Sequence, residues 1–252
     1  MFRSRSNWRC SHFPEAMAGA KRAAHLVVKS PFPVAVLGGA VWLFAQTVLA
    51  GPPQSAEAAA LKDPVAISDP SGSEGVAGGV RQDYCPPDSL FEQPVQTSGW
   101  SAGVSEQSLG WLRYESFSGV VEPICDIHWW GIDLAWDGDW VECTENPMPF
   151  EIRFYQDAGG LPGAEVCSYT ATVTGDFVMV TGGRDLWEYD VEFDDCCDLT
   201  DGWVSIQGGG DPDCYFLWMS SDVGDASNCF DDGIAIQCGP PDHGYDLSLC
   251  LT

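Results

Sequence analysis

Residues 125–143 are the part of the chain richest in side chains that could do chemistry. From Cys125 to Cys143 the sequence is CDIHWWGIDLAWDGDWVEC. Exposed aromatic faces stack on sugar rings, and carboxylates accept hydrogen bonds from hydroxyls, so this stretch could bind a glycan, although most tryptophans of such a chain are expected to pack in the core. A strand through Trp129 and Trp130 would instead bury one indole and place the other on the outer face. The candidate ligand-binding residues are Trp129, Trp130, Trp136 and Trp140.

Two aspartate pairs resemble fragments of calcium-binding loops. They are Asp137-Gly-Asp139 and Asp211-Pro-Asp213. Calcium needs several oxygen ligands close together, and neither pair continues into a full EF-hand pattern. Aspartate also suits turns in the absence of any metal. Structural calcium at Asp137, Asp139, Asp211 and Asp213 is therefore the one cofactor hypothesis, and solvated turn aspartates are the alternative.

The sequence gives a weak case for catalysis. It contains no G-x-S-x-G motif, and neither His128 nor His243 stands in a recognisable triad setting. A glycoside hydrolase needs only two well-placed carboxylates, which an acidic chain has in excess. We therefore predict a protein that is not an enzyme, with a glycan hydrolase as a remaining alternative.

The first 50 residues have the pattern of a secretory signal peptide. Six basic residues precede position 30, an apolar run spans Pro33 to Ala45, and Val-Leu-Ala ends at Ala50. This order of basic, apolar and small residues is typical of a cleaved leader that begins at Met1 or Met17. An uncleaved anchor is the alternative, but the apolar run is short for a span of about 20 residues. We expect a secreted, extracellular or cell-surface protein with no membrane span after cleavage.

Ten cysteines remain after the leader, which predicts a disulfide framework in an oxidising compartment. Cys125–Cys143, Cys229–Cys238 and Cys214–Cys250 are the pairings that we expect from position. Cys196 and Cys197 are adjacent, so each is expected to bond a separate partner, with Cys85 and Cys167 remaining for them. No C-x-x-C pair appears, which argues against zinc.

The chain beyond the leader is strongly acidic. Residues 51–252 contain five basic and 36 acidic residues, a net charge of −31. Such a surface repels nucleic acid and anionic lipid and attracts cations. We therefore exclude nucleic acid as a partner and retain an extracellular glycan or a cell-surface protein.

Beyond the leader the sequence divides into a linker and one domain. Residues 51–83 are rich in Ala, Pro, Gly and Ser and predict a flexible linker. Residues 84–252 contain many short alternating segments, such as Phe150–Tyr155 and Trp187–Phe193, separated by Gly, Asp and Pro. This pattern predicts an all-β, jelly-roll-like antiparallel sandwich of two sheets stapled by disulfides.

Residues 114–252 contain five short motifs in succession. They are Trp129-Trp-Gly131, FEIRFYQDAGGLPG over 150–163, Tyr189-Asp-Val191, GWVSI over 202–206 and DPDCYFLW over 211–218. In them the chain resembles an uncharacterised β-sandwich domain of secreted proteins from environmental bacteria. The resemblance implies a jelly-roll-like sandwich and an extracellular location, and it implies no activity. We therefore expect a structural or binding module, and the alternative is a carbohydrate-binding module.

Cleavage after Ala50 is the first testable prediction. N-terminal sequencing of the exported protein should begin at Gly51 or within a few residues of it. A mature protein that keeps the apolar run before Ala45 and sediments with membranes would contradict cleavage.

Overall fold

The computed structural model describes residues 67–68, 84–240 and 244–252. The predicted signal peptide, all of the predicted linker except Ile67 and Ser68, and His243 lie outside the described residues. Within the described part of the chain no helix is long and apolar enough to cross a membrane.

The described residues form sixteen β-strands. In chain order they are β1 (Ile67–Ser68), β2 (Phe91–Gln93), β3 (Ser101–Val104), β4 (Leu112–Phe117), β5 (Ile124–Trp136), β6 (Trp140–Glu142), β7 (Met148–Asp157), β8 (Pro162–Val173), β9 (Asp176–Thr181), β10 (Arg184–Cys197), β11 (Gly202–Gly208), β12 (Tyr215–Ser221), β13 (Asn228–Asp231), β14 (Ile236–Cys238), β15 (Asp246–Leu247) and β16 (Leu249–Leu251).

The strands make two antiparallel sheets, as the sequence predicts. The larger sheet has the order β1-β3-β12-β5-β10-β9, and β2, β6, β15 and β16 attach beside this path. The smaller sheet has the order β14-β13-β4-β11-β7-β8. The predicted all-β, jelly-roll-like sandwich is confirmed.

The first core lies between the sheets and is largely aromatic. Phe150 and Phe154 alternate along β7 with half-buried polar residues, the period-2 pattern that the sequence shows. The Phe150 ring meets those of Trp129, Tyr189 and Phe216 with centroids 4.9–5.0 Å apart. Phe150 is therefore a point where both sheets meet, since its three ring partners belong to β5, β10 and β12.

A second core covers the other face of the larger sheet. Trp130 is fully buried there and packs against Tyr84, with ring centroids 6.2 Å apart. Trp100 and Leu217 belong to the same cluster. Strand β5 therefore buries both of its faces, and Gly131 is required where it approaches β12, because a Cβ at that position would overlap the ring of Phe216.

All ten cysteines of the described chain are paired, as predicted. The bonds are Cys85–Cys250, Cys125–Cys196, Cys143–Cys214, Cys167–Cys197 and Cys229–Cys238. The predicted Cys229–Cys238 bond and the separate partners of Cys196 and Cys197, with Cys167 as one of them, are confirmed. The expectation that Cys85 is the other partner is wrong, because Cys85 bonds Cys250. The predictions of Cys125–Cys143 and Cys214–Cys250 are wrong. The pairing of Ile124 with Cys197 instead brings Cys125 opposite Cys196 across two long strands.

Truncation of Phe150 tests the aromatic junction of the two sheets. Phe150→Ala should lower the free energy of unfolding by about 3–5 kcal/mol, because a buried ring is lost and a cavity remains. Phe177 is 54% exposed on β9, so the control Phe177→Ala should change it by about 0.5 kcal/mol or less. Urea unfolding of the oxidised proteins measures both values, and equal losses would contradict the assignment of the core.

Candidate functional site

The structure does not form a sugar-stacking surface from the tryptophan-rich stretch. Trp129 and Trp130 are fully buried and Trp140 is 8% exposed. Trp136 is 37% exposed and meets the edge of the Trp140 ring at 5.2 Å. The expectation that one indole of the Trp129–Trp130 pair faces outward is wrong, because the second core covers the outer face of β5. Only Trp136 of the four predicted residues presents an indole to solvent.

The four aspartates predicted to bind calcium do not converge. Asp139 accepts a hydrogen bond from the backbone N–H of Trp140, and Asp211 accepts one from the backbone N–H of Asp213. These are side chains that stabilise turns. In the part of the chain that the structure describes, no three His, Cys, Asp or Glu side chains are grouped so that they could hold a metal ion. The turn interpretation is therefore the one that the geometry favours.

His128 lies between two carboxylates on the second face of β5. Its Nε2 is 3.1 Å from Asp126 Oδ2, and its Nδ1 is 3.5 Å from Glu188 Oε1. Burial alone would lower the pKa of His128, but the two carboxylates outweigh it and raise the pKa to about 9. Asp126 also accepts a hydrogen bond from the Thr252 hydroxyl. The imidazolium therefore links β5 to Glu188 of β10, and Asp126 links β5 to Thr252.

Two buried carboxyls have pKa values far from those of free side chains. Burial raises the pKa of Glu106 and of Asp133 to about 7. Glu106 accepts backbone N–H groups of Ser108 and Phe216, whereas Asp133 Oδ2 has no hydrogen-bond partner among the described residues. Both residues are at most 3% exposed, so they lie in the protein interior and not in an accessible site.

A pocket of about 510 Å³ opens at one end of the smaller sheet. Gly202 on β11 pairs with Phe117 of β4 on one side and with Gln156 of β7 on the other. This register brings together the loops that follow β4 and β7 and the loop that precedes β11. Strand β2 and residues 224–227 complete the wall. The volume is within the range of small-molecule sites in proteins.

Aromatic rings form part of the pocket wall. Phe91 is half-buried, and Phe117 and Trp203 are buried, at 3% and 4% exposure. The Trp203 indole N–H donates a hydrogen bond to Asp157 Oδ1 at 3.1 Å. This bond fixes the turn between β7 and β8 against the first residues of β11.

Oxygen atoms dominate the rest of the lining. Asp157 accepts N–H groups from Trp203, Gly159 and Gly160, and these hydrogen bonds lower its pKa. Asp201 accepts the backbone N–H of Gly119 at 3.0 Å. The remaining oxygen-bearing residues of the wall are Asp225, Ser116, Ser118, Ser227 and Gln93.

Gln93 is the buried polar residue of the lining. It is 3% exposed, and its Nε2 donates to Glu115 Oε1 at 3.4 Å, while its Oε1 has no partner among the described residues. Burial raises the pKa of Glu115 well above its usual range. Gly224, at φ +141°, passes so close to Gln93 and Asp246 that a Cβ would overlap both. A glycine is thus needed for the loop to form this wall.

None of the residues of this pocket is among the predicted site residues. Asp157 and Gly160 lie in the 150–163 motif, and Asp225 and Gln93 belong to no motif. The sequence does indicate two loops near this pocket, because the Asp157-Ala-Gly-Gly and Asp201-Gly-Trp segments contain the Asp and Gly residues that are typical of turns. Their proximity depends on sheet register, which one sequence does not give.

Comparisons of the chain with family models, with curated proteins and with solved structures find no match. The class of the protein therefore follows from its fold and pocket alone. It is an all-β sandwich with five disulfides and with a pocket, lined by polar and aromatic residues, at one end of the smaller sheet.

The raised pKa of Asp133 predicts a pH-dependent stability. Since the folded pKa of Asp133, about 7, lies above the ordinary aspartate value of 3.8, the contribution is fully present below about pH 4 and is lost as pH rises through 7. Asp133→Asn should flatten the decline of unfolding free energy between pH 4 and 8 by about 2–4 kcal/mol. The exposed Asp190→Asn is the control and should keep the wild-type slope. Urea unfolding at several pH values in this range measures the slope of the unfolding free energy against pH. An unchanged slope in Asp133→Asn would contradict the raised pKa of Asp133.

Proposed function

We propose that the protein is a secreted, non-catalytic binding module and that its ligand is a carbohydrate held in the strand-end pocket. The observation that carries the proposal is the lining: the half-buried Phe91 ring beside side-chain oxygens around a space of about 510 Å³. Sugars present apolar ring faces and a rim of hydroxyls, and this wall offers partners for both. The pocket replaces the tryptophan-rich stretch as the expected binding site.

The charges of the pocket favour binding over hydrolysis. A glycoside hydrolase pairs a general acid of raised pKa with a second carboxylate across the scissile bond. In the pocket, the hydrogen bonds to Asp157 lower its pKa and keep the carboxyl ionised. The carboxyls of strongly raised pKa are Glu106, Asp133 and Glu115, which are buried and do not line the pocket.

Two features support a place outside the cell. The five disulfides are stable in an oxidising compartment. The basic and apolar leader supplies an export signal. A module with this chemistry is suited to hold a soluble or surface glycan without altering it.

Blocking the pocket tests the proposal. Calorimetric titration with a panel of soluble oligosaccharides should find at least one that binds the mature protein. Ser118→Trp fills the rim of the pocket and should weaken that binding about tenfold or more, equivalent to about 1.4 kcal/mol. Ser168→Trp, on the exposed side of β8 and outside the lining, is the matched control and should bind as wild type. Equal loss in both variants, or release of shortened sugars during the titration, would contradict the proposal.

A further inference from the structure

The pocket differs from a general sugar site in the balance of its charges. Its charged lining residues are Asp157, Asp201 and Asp225, all acidic. The described chain has three arginines and no lysine, and none of the three lines the pocket. Arg113 is buried and donates to Val104 O and Asn228 Oδ1, Arg153 pairs with Glu151, and Arg184 donates to Trp140 O. A neutral ligand would leave the carboxylates of the lining without a counter-charge.

From this lining we infer that the sugar carries a free ammonium group, as in an oligomer of glucosamine. The inference rests on the proposed function and specifies the class of carbohydrate. It joins three observations that point to one chemistry: acidic charge, unused hydrogen-bond acceptors and aromatic faces.

The charged groups of the pocket lining offer hydrogen-bond acceptors only, beside the hydroxyls of Ser116, Ser118 and Ser227, which donate and accept. Gln93 is 97% buried, and its Oε1 finds no donor in the described structure. Asp157 accepts two backbone N–H groups and the Trp203 indole N–H, Asp201 accepts the backbone N–H of Gly119 and the Thr200 hydroxyl, and both carboxylates keep lone pairs beyond these bonds. An ammonium group has three donors and no acceptor, so it matches these carboxylates. A hydroxyl supplies one donor and also brings lone pairs that face carboxylates.

The aromatic part of the wall favours the same group. A cation within about 6 Å of a ring face is attracted by the ring quadrupole. Phe91 is the aromatic lining residue that presents ring surface beside the three aspartates, whereas Phe117 and Trp203 are 3% and 4% exposed and support the wall from behind. Aromatic rings combined with carboxylates are a recognition surface for organic cations that carry apolar carbon next to the charge.

The surroundings of the pocket increase its preference for a cation. Residues 51–252 carry a net charge of −31, so the field of the chain attracts cations and repels uronate or sulfated sugars. A bare metal ion is a weaker candidate, because the described residues contain no group of three ligating side chains placed for one. Asp225 is exposed at the pocket mouth, where an entering ammonium group would meet its carboxylate.

A matched set of trimers tests the inference on the mature exported protein. Glucosamine trimer and N-acetylglucosamine trimer share one skeleton and differ in charge, and a glucose trimer and trilysine complete the set. At pH 6 and 50 mM salt, titration should show the glucosamine trimer binding about tenfold tighter than its N-acetylated form. The advantage should shrink severalfold at 500 mM salt, because exposed charges are screened.

Two variants place the effect at the pocket mouth. Asp225→Asn should weaken the glucosamine trimer about three- to tenfold more than it weakens the N-acetylated trimer, because only the first loses a charge partner. Asp222→Asn removes an exposed aspartate of the same loop that does not line the pocket, and it should bind both trimers as wild type. Equal losses in the two variants would show that general charge attraction, and not the pocket, selects the ammonium group, and would overturn the inference.

The outcomes separate the two proposals. Failure of every sugar to bind would overturn the proposed function and this inference together. Binding of the glucose or N-acetylglucosamine trimer as tightly as the glucosamine trimer would overturn the inference and leave the proposed function standing. Trilysine binding as tightly as the glucosamine trimer would show that any primary ammonium suffices, which would reject the amino sugar as the specific ligand.

Discussion

The burial of both faces of β5 is the constraint on which the rest of the structure depends. Trp129 faces the core between the sheets, Trp130 faces the second core, and both are fully buried. One long strand thus pairs with β10, β12, β16 and β6 while it packs on both sides. Tyr84 and Trp100 belong to the segment that covers the Trp130 side of β5. Without this cover the Trp130 cluster would expose a large apolar surface to water.

The second constraint is charge. A domain with so many carboxylates is loosened by self-repulsion at neutral pH. Burial raises the pKa of Glu106 and Asp133 to about 7, so their ionisation adds to this cost as the pH rises to neutrality. The disulfides act in the opposite direction by restricting the unfolded chain, most of all Cys85–Cys250, which spans 165 residues. The two cores and the disulfides together offset the repulsion.

The fold followed from the sequence wherever one face of a strand is buried. Phe150–Tyr155 and Trp187–Phe193 show a period of two, and β7 and β10 contain them. The same rule failed at Trp129 and Trp130, since alternation indicates only one apolar face and cannot say whether a second layer covers the other. The wrong disulfide pairings have a related cause: distance along the chain is not distance across a sheet. Cys125 and Cys196 meet through the β5–β10 register.

The candidate site could not be predicted because it belongs to no single segment. Asp157 ends one strand, Trp203 lies near the start of another, and Gln93 is on a strand of three residues. No local sequence pattern marks any of these three residues as part of a binding site. The pocket forms because Gly202 pairs with both Phe117 and Gln156, which brings the three segments together. Loops at a strand end are free to vary without disturbing the cores, and binding chemistry is commonly placed there. In this chain the tryptophans that most resemble a binding motif are needed to hold the sheets, and the loops they support carry the pocket.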